Sequence, residues 1–283
     1  MLCMAGGMFI FSAVDTQAKF LTDTLHPFQI VWFRQLGLVL GLVFMLSYHG
    51  ASILRTAAPG LQVLRGAVAA GSATLFIFAV SYVPLADAVA VTFVAPFMVT
   101  LMGALILREP VGMRRWTAVI IGFLATLIII RPGTGAIHPA AFLVILAAAL
   151  FAVRQIVSRA LAGSDNTMTT VAYTALVSVA LLSVPLPFVW QWPTEGWQIA
   201  LLISMALMAA LAETLVIKAL ELAQAVVVAP LHYTILIWST FYGWLIFGDL
   251  PDLWTWVGAA IITATGIYTL NRERLAARKP PQT

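Results

Sequence analysis

Charge is the scarcest thing in this sequence. Asp, Glu, Lys and Arg make up 9% of the chain, against about a quarter in a soluble domain. So few charges cannot cover a water-facing surface, which excludes a soluble globular protein. Cysteine is nearly absent. Cys3 stands alone, so neither a disulfide framework nor a thiolate metal cluster is available. The histidines at 26, 49, 138 and 232 are too scattered to make a local ligand motif. There is no H-E-x-x-H, no G-x-S-x-G and no Gly-rich phosphate loop with a lysine. An intramembrane enzyme is therefore the weakest reading, and no prosthetic cofactor or metal is expected. The net charge of +4 is too small for a nucleic-acid surface and reads as loop charge. No basic region precedes the first apolar run, so that run is expected to persist as a membrane helix and not to be cleaved.

What the sequence has is apolar length. Hydrophobic residues make up 62%, in runs of about 20, which cross a hydrocarbon core of about 30 Å at 1.5 Å per residue. Ten spans are expected: 2–22, 27–46, 63–83, 86–106, 112–130, 140–159, 168–189, 197–217, 225–246 and 253–270. The runs are continuous where barrel strands would alternate, so the expected fold class is an all-α membrane protein. Basic residues check the count. Eleven of them, from Arg55 to Lys279, fall on the side of the termini, while Arg131 and Lys19 fall on the other. The positive-inside rule then places both termini in the cytoplasm.

A shift of 140 positions carries Ala79 onto Ala219, Gly103 onto Gly243, Glu109 onto Asp249 and Trp116 onto Trp256. The same shift carries Phe11 onto Phe151 and Lys19 onto Arg159. This reads as two copies of one five-helix unit, 1–135 and 136–283, within one membrane domain. Five is odd, so the second copy enters the membrane inverted. Inverted repeats with a site at their interface, near the midplane, are a transporter architecture. Gly37 with Gly41, and Ala67 with Gly71, have small-residue spacing. They read as helix packing within a monomer, with a dimer face as the alternative.

Pro96, the Arg108-Glu109 turn, Trp116, Gly122 and Arg131-Pro132-Gly133 resemble the first half of the EamA-type drug/metabolite transporter superfamily. Gly243, Asp249, Gly258 and Gly266 resemble the second half, with Asp249 in place of the usual glutamate. Within the superfamily the chain is most similar to the YddG-type bacterial amino-acid exporters. The resemblance implies a ten-helix basket around a central cavity. It also implies inner-membrane location and export of aromatic and other neutral amino acids by alternating access. An uptake carrier or exchanger for a nucleotide-like or sulfonium metabolite is the alternative in the same fold.

Charges at bilayer depth are costly, so each is a functional candidate. Asp15 and Arg34 lie about 4–5 Å beyond the middle of the first and second spans, where they can pair. Asp15 can meet a substrate ammonium, gate the outer half, or simply tie two helices together. Arg154 and Glu213 lie about 7–8 Å to the other side of the sixth and eighth spans. They form a second candidate pair, with Arg154 able to fork onto a carboxylate. Gln155 aligns with Asp15 under the repeat. His232 and Tyr233 follow Pro230, a helix-bending residue. Pro84 and Pro96 are the other expected bend points. Asp87 reads as an interface charge favoured by a helix N-terminus.

Trp190, Trp192, Trp197, Trp254 and Trp256 read as an interfacial belt. Phe11, Phe78, Tyr82, Phe93, Tyr233 and Trp238 lie deeper and are candidate cavity aromatics. The expected partners are the bilayer and a small-molecule substrate, an amino acid.

Overall fold

The computed structural model describes residues 2–106, 108, 112–131, 138–161, 165–222 and 229–277. Among them there is no strand. Twelve α-helices are described: α1 (Leu2–Leu21), α2 (Pro27–His49), α3 (Pro59–Val80), α4 (Leu85–Thr92), α5 (Ala95–Ile106) and α6 (Met113–Ile130), then α7 (Ala141–Leu161), α8 (Thr167–Ser183), α9 (Leu186–Val189), α10 (Gly196–Leu222), α11 (Thr234–Tyr242) and α12 (Leu253–Ala277). Among the described residues five segments are long and apolar enough to cross a membrane: Pro27–Tyr48, Pro59–Val80, Leu85–Ile106, Ala141–Leu161 and Gly196–Val216. Trp116–Ile130 and Thr167–Ser183 are shorter apolar helices. The protein is a multi-pass membrane protein.

Local chemistry sets the helix ends. Pro27 and Pro59 sit in the first turns of α2 and α3, where a missing N–H costs nothing. His26 caps α2, its Nδ1 accepting from Phe28 N–H at 3.3 Å. Partial burial holds this imidazole below its ordinary pKa, which favours the neutral form that can accept. Asn166 caps α8 by accepting from Met168 N–H at 3.2 Å.

The expected fourth span is broken into α4 and α5. Pro96 has no N–H to return to the carbonyl of Thr92, so the helix cannot run through. The chain crosses the gap on tight bonds instead, Phe93 N–H to Ala90 O at 3.3 Å and Val94 N–H to Val91 O at 3.1 Å. Pro84 is not a bend inside a helix but the N-cap of α4. The expected seventh span likewise splits at Val184–Pro185 into α8 and α9. Around Pro230 the described backbone is a 3-10 turn, Ala229–Tyr233, leading into α11. A π-turn, Gly243–Phe247, then ends on Gly248 at φ 71. The last helix runs to Ala277, past the expected end at 270. Glu109, Pro132 and Gly133 lie outside the described residues.

Helices before residue 131 pack mainly on helices after 138. The close pairs are α1 with α10 and α11, α2 with α8 and α10, α3 with α7 and α8, α5 with α7, and α6 with α12. Small residues permit the approach. A Cβ on Gly37 would fall 1.8 Å from the Ala206 carbonyl oxygen, so α2 and α10 meet there backbone to backbone. Gly41 faces no atom within 4 Å. The main core, with Val14, Ile30, Ile77, Leu85, Val89, Ile129, Met205 and Ile262, draws on helices from both parts of the chain.

Candidate functional site

Charged side chains gather where α1, α2, α7, α3 and α10 approach. Asp15 is 6% exposed. Arg34 Nη1 donates to its Oδ1 at 2.9 Å. The Arg34 guanidinium also lies 5.9 Å from the centre of the Phe11 ring. Around this pair, Ser12 and Ser239 share a hydrogen bond of 3.0 Å between α1 and α11. Ser204 donates to Gln17 Oε1 at 2.9 Å between α10 and α1.

The expected ion pair between Arg154 and Glu213 does not form. The described ion pairs are Lys19–Asp249, Arg34–Asp15 and Arg131–Asp252. Arg154 folds back over the Phe151 ring, 4.7 Å from its centre, on its own helix. It feels the charges of Glu213 and Arg34 at longer range. Its Nε is closed off from solvent and has no hydrogen-bond partner among the described residues. Arg65, not singled out by the sequence, belongs to the same field. It donates to Ser158 Oγ at 2.7 Å and to Thr174. Three guanidiniums thus face two carboxylates, leaving one positive charge over.

The other expected site residues divide into two groups. Phe93, at the α4–α5 break, meets Tyr233 with ring centres 5.0 Å apart. The Tyr233 hydroxyl presses against Gly266, where a Cβ would come within 1.8 Å. Trp238 packs edge-on to Phe9 at 5.0 Å and flanks a small cluster with Met4, Met8 and Phe11. Gln155 is half-buried beside Arg154. The remaining three stand apart. Phe78 packs on His26 and Phe28 near the start of α2. Tyr82, expected deep, is 61% exposed and stacks on His138 at 5.0 Å, because the chain has already left α3 at Val80. His232 is exposed. Two clefts of about 310 Å³ each lie elsewhere, one among Ser52, Arg55, Asp165 and Asn166, the other among Thr117, Ile121, Ala264 and Tyr268.

Two polar clusters at the helix ends were not anticipated. At one end Lys19 Nζ reaches Asp249 Oδ2 and the Val83 carbonyl oxygen, each at 3.3 Å. Beside them Arg131 pairs with Asp252. Burial works to raise the Asp252 carboxyl, but the Thr255 backbone N–H, at 2.8 Å, and Arg131 help to outweigh it and hold the group low. Arg131 is left-handed, φ 45, at the C-cap of α6, a costly geometry for a non-glycine residue. At the other end Asp165 accepts from Thr56, from Gln62 at 2.7 Å and from Ala57 N–H at 3.0 Å. The Thr56 and Gln62 bonds, then the Ala57 amide, lower its carboxyl. Lys19 and Asp249 had both stood out in the 140-residue shift. What was missing was the pairing, which is a tertiary fact.

Known proteins place this geometry. A model of the EamA-like transporter family matches residues 1–131 and 138–272. An S-adenosylmethionine uptake transporter of Rickettsia felis is 27% identical over 265 residues, 94% of this chain and 90% of its own. A riboflavin transporter of Vibrio cholerae is 33% identical over 228 residues, 80% of this chain and 76% of its own. The pseudopaline exporter CntI of Pseudomonas aeruginosa is 27% identical over 270 residues, 94% and 93% of the two chains. A crystal structure 18% identical in sequence superposes over 97% of both chains with a TM-score of 0.63, a likeness of fold alone. These relatives are named as transporters and not as enzymes. With the family model covering nearly its whole length, the chain belongs to the EamA-like transporter family.

Proposed function

We propose that this protein is a secondary transporter for a small metabolite carrying an α-amino-carboxylate head. Aromatic amino acids and S-adenosylmethionine-like sulfonium compounds fall in that class. The observation that carries the reading is the surplus positive charge at depth. Among the described residues Arg154 Nε has no hydrogen-bond partner and the side chain makes no ion pair, so a substrate carboxylate would complete it. Asp15 is the acidic counterpart for an ammonium or sulfonium, once Arg34 gives way. Phe11, Phe151, Phe93 and Tyr233 supply apolar faces for the rest of the molecule. Relatives named for S-adenosylmethionine and for riboflavin support a heteroaromatic body.

Ten spans in two inverted halves, with inner-membrane location and cytoplasmic termini, are part of this reading. Packing supports it. Exchanging each helix for its counterpart in the other half turns α1–α10 into α7–α3, α1–α11 into α7–α5 and α2–α10 into α8–α3, all close pairs. Phe11 and Phe151, related by the 140-residue shift, each lie beneath a guanidinium. Alternating access then needs substrate to stabilise one opening over the other.

The test is flux into and out of proteoliposomes holding the full chain, with labelled aromatic amino acids, S-adenosylmethionine and riboflavin as separate substrates. Transport of an amino-carboxylate, with KM raised about tenfold or more in Arg154→Ala, is expected for the loss of a charge-assisted bond. Riboflavin moving while both amino-carboxylates stay at the empty-liposome leak would overturn the substrate class. An unchanged KM in Arg154→Ala would remove the carboxylate role.

A further inference from the structure

Both ion pairs at the Lys19 end join residues up to 131 to residues after 138. They form a latch between the two parts of the chain. Asp87, in the first turn of α4, sits behind it. The sequence suggested an interface charge, yet this residue is only 8% exposed. Its Oδ1 is sealed from solvent and has no hydrogen-bond partner among the described residues. Thr255 of α12 faces it, and Asp252, Arg131 and Asp249 act on it at longer range. Lys19 of α1 joins the group through Asp249. The α3, α7 and α11 stretches beside α4, residues 70–80, 141–150 and 234–241, contain no Asp, Glu, Lys, Arg or His.

Three carboxyls therefore share two cations. Asp249 and Asp252 have side chains 41% and 44% exposed, so the surplus negative charge is costly only on Asp87, which is buried, unless that group is neutralised. Among the described residues no three His, Cys, Asp or Glu side chains come together to hold a metal ion. A proton needs no such cage.

Given the transport reading above, we propose that Asp87 is a proton-binding site whose occupancy controls the latch. Protonated, it leaves Arg131 to Asp252 and Lys19 to Asp249, and this end stays shut. Ionised, it competes for Arg131 and repels both partner carboxylates, so the halves part and water reaches the group. The proton comes from, and returns to, the water on the latch side. A proton that binds the closed form more tightly must favour closing, and the dependence is reciprocal.

The experiment uses the full chain in lipid nanodiscs with Cys3→Ser. Spin labels go on Tyr82→Cys and Trp254→Cys, both exposed at this end. Distances are measured from about pH 5 to about pH 8, the range in which a perturbed carboxyl can titrate. The label distance should widen as pH rises. Asp87→Asn should hold the short distance throughout, and Asp87→Glu should restore the response. A response kept in Asp87→Asn, no response in the labelled parent, or one that follows sodium and not pH would overturn the proposal. In proteoliposomes raising the pH on the latch side alone should speed flux about tenfold in the parent, while Asp87→Asn, held shut at that end, should show little flux at any pH. Flux that still rises with latch-side pH in Asp87→Asn would also overturn it. No flux of any substrate, with the distance still following pH, would sink the transport reading and leave the latch standing.

Discussion

Asp15 and Arg34 neutralise each other at 2.9 Å with side chains 9% and 18% exposed. Removing one partner leaves the other charge uncompensated, which costs about 3 kcal/mol or more. Asp15→Ala should therefore lower thermal stability in detergent, while Asp15→Leu combined with Arg34→Met should recover most of the loss. A double variant no better than the single one would mean that the pair adds nothing beyond its separate parts. Asp165 makes a prediction about pH. Its carboxyl lies below the ordinary value because it accepts from Thr56, Gln62 and Ala57 N–H. A depressed folded value stabilises above the unfolded value and is lost as pH falls through the folded one. Stability should thus be flat above about pH 4 and fall below it, a decline weakened in Asp165→Ala and read by unfolding midpoints at each pH.

The break between α4 and α5 is where element geometry bears on mechanism. Phe93 ends α4 and touches Tyr233, so the break aims an aromatic at the second part of the chain. Pro96→Ala restores the missing N–H to the Thr92 carbonyl. Interior proline costs a helix about 3 kcal/mol, so the variant should be more stable and its α4–α5 segment straighter. Substrate flux should fall if the bend has to flex during transport. A variant both stabilised and fully active would assign the proline no part in motion.

For the whole molecule, the Lys19 end is shut by contacts between the two parts of the chain, whereas Arg154 at depth has no ion-pair partner among the described residues. Lys19→Ala removes one half of the latch. With Asp249 41% exposed, the pair contributes about 1 kcal/mol. That shifts the open population about fivefold. A Ser12→Cys reporter in a Cys3→Ser background should then react about fivefold faster with a water-soluble maleimide. An unchanged rate would show that the pair does not hold this end.

Periodicity and hydropathy settled much from the sequence alone. Apolar runs of membrane length, with few charges, leave the backbone no choice but helices, and the family signature sits in residues adjacent along the chain, such as Arg108-Glu109. Asp15 and Arg34 could be foreseen as partners because they lie at matching depth on consecutive helices. Tertiary structure decided the rest, since hydropathy carries no information about which helix neighbours which. Arg154 turned to Phe151 and not to Glu213, because its own helix offered a ring one turn away. Lys19 met Asp249, and Asp87 was buried behind them. The Lys19–Asp249 contact joins residues 230 positions apart, and only the folded arrangement brings such residues within reach.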